Sequence, residues 1–107
     1  MISLLRNTTL MALPAITISE STLIMSGEGV FLGFLIGMDA INDATITIYD
    51  NTSGTGEEIV PTNTYDASAI GLNGWSPAVP IRVRNGLYIN ISCSGTCEVT
   101  PFYANFY

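Results

Sequence analysis

A chain of 107 residues fits one domain with one modest core. Only 11% of it is Asp, Glu, Lys or Arg and 48% is apolar, where an ordinary soluble domain is about 25% charged. Nine acidic residues, three arginines, no lysine and no histidine give a net charge of −6, which excludes a basic stripe for phosphate binding, a histidine-based nucleophile and a lysine-bearing phosphate loop.

So few charges cannot clothe a free monomer of this size, whose surface needs roughly 25–35% charged residues. The surface is therefore expected to be covered by sister subunits or by a larger assembly. Lipid is the weaker choice. The longest apolar run, residues 30–38, is short of the roughly 20 residues a spanning helix needs. Neither a membrane nor a nucleic acid is an expected partner.

Residues 1–9 read as an N-terminal arm. They fit a signal peptide poorly, because a lone Arg6 follows the first apolar residues and Pro14 interrupts the next. From residue 15 the rhythm is period two. Residues 15–19, 45–50, 81–84 and 87–93 alternate apolar and polar side chains, the mark of strands with one buried face. No stretch carries a sustained helical period. About eight or nine short strands are expected, in a single antiparallel β-sandwich of jelly-roll type spanning residues 1–107.

Residues 29–38 are apolar on both faces of a strand. Val30, Leu32, Phe34, Ile36 and Met38 form the expected core face. Phe31 and Leu35 stand among Gly29, Gly33 and Gly37 on the other. Glycine in a strand often marks close approach by another backbone. This second face is either buried in a central strand or set against a neighbouring subunit, which makes Phe31 and Leu35 candidate interface residues.

The carboxylates and amides gather in loops. Asp39, Asn42 and Asp43 crowd one, and Asp50, Asn51, Glu57 and Glu58 another. Calcium takes oxygens from such loops, while Asp and Asn also build turns through their own hydrogen bonds. No cofactor is expected, with calcium the one ion these loops suggest. Adjacent Glu57 and Glu58 would point to opposite faces of a strand, a poor acid–base pair, and neither Gly54-Thr55-Gly56 nor Gly27-Glu28-Gly29 continues as a dinucleotide fingerprint. An enzyme is not expected.

Residues 61–80 hold three prolines and read as a long surface excursion carrying Tyr65 and Trp75. Trp75 either plugs the core or, with Tyr65 beside it, stacks on a sugar. Arg82 and Arg84 share the outer face of the next strand, either solvated or paired with carboxylates of a partner. Asn85-Gly86 predicts a tight hairpin into 87–93. A second hairpin is expected at 94–96, with Cys93 opposite Cys97 and residue 91 opposite 99, placing the two cysteines within reach of a disulfide. The tail, 104–107, ends in Phe106 and Tyr107 and is expected to dock on its own domain or on a neighbour. Tyr103 is expected to close the core, and Phe102 to pair across from Tyr88.

The glycine-spaced run 27–37, the strand and turn of 45–56, and Asn85-Gly86-Leu87-Tyr88 together resemble small β-sandwich proteins encoded by tailed bacteriophages. The resemblance covers roughly residues 15–103. It implies a structural role on the exterior of the virion: a capsid decoration (cement) protein, homo-oligomeric and typically trimeric, in contact with the major capsid or another virion protein. Its alternative is a carbohydrate- or receptor-binding module of a fibre or tail. No catalytic residue comes with the resemblance. A further alternative is a secreted, disulfide-linked domain, since Asn7, Asn51 and Asn90 each begin a glycosylation acceptor triplet.

Overall fold

Residues 16–39, 41–67 and 73–106 are described in the computed structural model, and all regular structure among them is strand. The strands are β1 (Thr22–Ser26), β2 (Gly29–Met38), β3 (Ala44–Tyr49), β4 (Glu58–Tyr65), β5 (Asn73–Trp75), β6 (Ile81–Val83), β7 (Gly86–Cys93) and β8 (Cys97–Asn105).

Alternation explains the first sheet, ordered β1-β7-β3-β4. In β3, Ala44, Ile46 and Ile48 are fully buried, and Leu87 and Ile89 of β7 are buried beside them. The intervening residues make the outer face. There Thr45 and Thr47 hydrogen-bond to Thr64 and Thr62 of β4 at 2.9 and 2.7 Å. Threonine hydroxyls thus join β3 to β4 on the outer face, while Leu23 and Tyr88 stand on it where β1 meets β7.

The second sheet centres on β2. One edge of β2 pairs with β8 along nearly its whole length. The other pairs with β6 near Gly29–Phe31 and with β5 near Phe34–Ile36. Strands β5 and β6 are thus two pieces of one interrupted strand, both antiparallel to β2. Beyond β8 stands Ile18, whose N–H donates to the Val99 carbonyl at 2.9 Å and whose carbonyl accepts from the Val99 N–H at 2.8 Å.

The antiparallel pairs nest: Ile18 with β8, β1 with β7, β2 with β5 and β6, β3 with β4. Nested pairs rolled across two sheets are the jelly-roll winding, so the expected fold class is observed. The two inner faces meet over Phe31, Phe34, Ile36, Ile46, Ile48, Leu87, Ile89 and Val99. Each such large side chain contributes roughly 1.5–3 kcal/mol by leaving water.

Two expected hairpins are absent. β6 pairs with β2 and β7 with β1 and β3, so Asn85 carries the chain from one sheet to the other. The Asp50 carboxylate holds this crossing by accepting the Arg84 and Asn85 N–H groups, the latter at 2.8 Å. Gly86 lies inside β7 opposite Ser26, and a Cβ there would crowd the Met25 and Asn51 carbonyls. Likewise β7 and β8 lie in different sheets. Cys93 sits opposite Ala44 and Cys97 opposite Met38, and the disulfide between the cysteines ties the sheets together across 6.3 Å between Cα atoms. Period two tells which face a residue takes, but strands side by side and strands facing across a core show the same inward rows.

The expected excursion at 61–80 is also revised. Residues 61–65 continue β4 and residues 73–75 form β5. Pro61 fits because β4 is the outer strand of its sheet and its register shifts there, so no ladder donor is missed.

Candidate functional site

The run 29–38 decides which residues face outward. Its register shifts between Phe31 and Gly33, where Gly33 adopts φ +125°. A bulge of this kind inserts one residue and reverses the alternation beyond it. Gly29 and Phe31 therefore point inward before the bulge, and Phe34 and Ile36 point inward after it. Phe31, expected at an interface, is fully buried. Val30 and Leu32, expected in the core, are half-buried on the outer side. Leu35 does face outward and is 40% exposed.

Around Leu35 the outer face of the second sheet carries apolar side chains between Arg82, opposite Val30, and Glu98, opposite Gly37. Leu35 lies opposite Thr100, Val30 opposite Ala104 and Gly33 opposite Phe102. Phe102 thus stands on this face and not across from Tyr88, because its neighbours Pro101 and Tyr103 are the buried residues of β8. Leu32, Leu35, Phe102 and Trp75 border a shallow concavity of about 410 Å³. Tyr103 closes the core as expected, at 8% exposure.

Arg82 and Phe106 lie at the rim. The Arg82 guanidinium is 3.0 Å from Glu28 Oε2 and stands 5.3 Å above the Phe106 ring. Arg82, expected to be solvated or paired with a partner's carboxylate, instead meets a carboxylate of its own chain. The Phe106 N–H donates to the Glu28 carbonyl at 3.0 Å, so the tail docks on its own domain as far as Phe106. Arg84, exposed just past β6, borders a polar concavity of about 390 Å³ with Asp50, Glu57, Glu58 and Arg82. Tyr107 and the arm 1–9 lie outside the described residues.

The second feature is a cleft of about 360 Å³ where β4, the outer strand of one sheet, faces β5 of the other. Tyr65 and Trp75, ten residues apart in sequence, both line it. Ala44 lies opposite Tyr65, Ile46 opposite Asn63 and Ile48 opposite Val60, so Tyr65, Asn63 and Val60 share the inward side of β4. Trp75, opposite Phe34, faces them. One face of the Trp75 ring lies against Phe31 (centroids 6.3 Å apart, 21° between planes), yet Trp75 keeps 40% of its surface exposed. Tyr65 meets Phe34 edge-on at 6.0 Å, and Phe31 stacks on Phe34 at 6.4 Å. Two buried phenylalanines thus hold two accessible aromatics in place. Asn63 and the two backing rings escape a sequence reading, because only the edge-to-edge meeting of β4 and β5 assembles them.

The loop carboxylates bind main chain. Asp39 Oδ1 accepts the Ile41 and Asn42 N–H groups, and Asp39 Oδ2 accepts the Asn42 side-chain amide and the Thr96 N–H, all at 2.8–3.0 Å. These bonds, that from the Asn42 N–H foremost, hold the Asp39 carboxyl well below the usual carboxylate range. Asp43 Oδ1 accepts the Ala67 N–H at 2.8 Å. Among the described residues no three Cys, Asp or Glu side chains converge on a common point for an ion. No helix among them is long and apolar enough to cross a membrane.

Comparison of this chain with protein-family models, curated proteins and solved structures returns no match.

Proposed function

We propose that this chain is a structural subunit of a bacteriophage particle, a capsid-decorating jelly roll that assembles with copies of itself and with the shell through the outer face of its second sheet. The observation carrying this reading is the contrast between its two outer faces. One carries threonine hydroxyls paired between β3 and β4, with Leu23 its one large exposed apolar side chain among the described residues. The other presents Val30, Leu32, Leu35 and Phe102 together, flanked by Arg82, Thr100 and Glu98. A contiguous apolar surface of this kind marks a contact site on a soluble domain. With only nine acidic and three basic residues in the chain, there is little charge to hold that face in water. The β-sandwich winding also agrees with the resemblance to small phage virion proteins.

The test is the mass of the purified chain by light scattering at micromolar concentration. A homo-oligomer, a trimer in the simplest case, is expected. Leu35→Asp and Phe102→Asp are each expected to give a folded monomer with unchanged far-ultraviolet circular dichroism. A wild-type chain that stays monomeric at about 100 µM, well above the dissociation constants of specific assemblies, overturns the assembly reading.

A further inference from the structure

We infer that the cleft between β4 and β5 is a binding site for an uncharged saccharide, with Trp75 as the stacking platform. The argument begins with polarity. Tyr65 and Trp75 give the cleft its aromatic surface, Ile59, Val60 and Pro61 its apolar part, and Thr62 and Asn63 its polar part; among the described residues no charged side chain lines it. In a chain whose formal charge is −6, a site whose described lining carries neither sign selects against ionic ligands. A sugar ring matches what remains. Its C–H face packs on an aromatic ring, and its hydroxyls bond to an amide, which both donates and accepts.

The second step is preorganisation. An exposed tryptophan on a loop loses freedom when it binds. Trp75 instead lies in a strand paired to β2, with one ring face already against Phe31. Tyr65 is fixed edge-on by Phe34. Gly33 makes this arrangement possible, since a Cβ there would collide with the Trp75 carbonyl. A platform held from behind and open in front loses little entropy on binding. The third step is size. About 360 Å³ falls at the small end of ligand clefts and suits one or two sugar rings. Trp75 also borders the concavity around Leu35, so each titration is repeated in Leu35→Asp, which leaves the lining of the cleft intact and separates its occupation from assembly through the outer sheet face.

Trp75 is the single tryptophan of the chain, so its emission reads the site directly. The purified chain is titrated with maltohexaose, cellohexaose, xylohexaose, mannohexaose and chitohexaose, with hyaluronan hexasaccharide as the anionic control. A saturable change in emission is expected with at least one neutral oligosaccharide and not with hyaluronan. Asn63→Ala and Tyr65→Ala, both at the accessible edge, are each expected to weaken that binding about tenfold, the loss of roughly one good contact. Trp75→Phe, followed by calorimetry, is expected to weaken it likewise while keeping a platform on Phe31. The proposal is overturned if no neutral sugar gives saturation at millimolar concentration, if hyaluronan binds as well, or if Asn63→Ala and Tyr65→Ala bind like wild type with native circular dichroism. Emission that changes only with protein concentration also overturns it, since the cleft is then covered by a second copy.

Discussion

The N–H of Thr96 donates to Asp39 Oδ2 at 3.0 Å, tying the turn between β7 and β8 to the loop between β2 and β3. Both segments carry the chain from one sheet to the other, so this bond fastens two crossings at one end of the sandwich. A Cβ on Gly95 beside it would displace the Asp39 carboxylate and the Asn42 amide from this network.

Acid should loosen this end first. The Asp39 carboxyl titrates lower in the folded chain than in the unfolded one, where it would sit at about 4. Its contribution to stability is therefore complete above that value and is lost as pH falls below it. Thermal unfolding of wild type followed from pH 7 to pH 2 should show a fall in midpoint below pH ~4. Asp39→Asn should have a lower midpoint at neutral pH and a shallower acid decline. An equally steep decline in the variant would remove Asp39 from the explanation.

Gly33 holds the bulge that turns Phe31 inward. Its φ of +125° is one that residues with a side chain rarely adopt, and the Trp75 carbonyl leaves no space for a Cβ. Gly33→Ala should cost about 1–3 kcal/mol in urea unfolding. Gly27 also has a positive φ but has open space around it, so Gly27→Ala should cost less. Equal losses at the two positions would show that packing against Trp75 contributes nothing.

Phe31 is both core and backing for Trp75. Phe31→Ala should lower stability by about 3–5 kcal/mol, as for other buried phenylalanines. It should also shift Trp75 emission to longer wavelength, since the ring loses the surface behind it. Val83→Ala, another fully buried position, should destabilise without that spectral change. An unshifted Phe31→Ala spectrum in the folded protein would contradict the stacked geometry.

The disulfide closes a loop with a sequence separation of four. Loop-closure entropy for so short a loop is worth about 2 kcal/mol. Cys93→Ser with Cys97→Ser should reduce the unfolding free energy by that order, and wild type in reductant should match the double variant. Intact mass before and after reduction checks the bond itself.

How much of this was legible in the chain is seen by comparing β3 with β2. In residues 44–49 polar threonines alternate with isoleucines, so the inward face is readable residue by residue. In residues 29–38 every side chain is apolar or glycine, and nothing marks where the phase slips. The expected faces therefore hold after Gly33 and fail before it, so of the two places open to Phe31, an interface or the core, only the bulge selects the core. Tyr65 and Trp75 are legible as a candidate pair, but whether Trp75 plugs the core or stays open is not, because that depends on which strands end at the same edge.

Local chemistry by itself determined the all-β class, the strand segments at 44–49 and 86–93, the closeness of the two cysteines and the poverty of charge. Side-chain alternation and turn residues act over a few positions, and those positions are adjacent in the chain. Strand partners, the crossings at Asn85 and at 94–96, the bulge at Gly33 and the cleft were decided only in three dimensions. They depend on long-range pairing, such as β1 with β7 and β2 with β8, that buries the most apolar surface while keeping each ladder bonded. No local pattern encodes which of two inward-facing rows becomes a neighbour and which lies opposite.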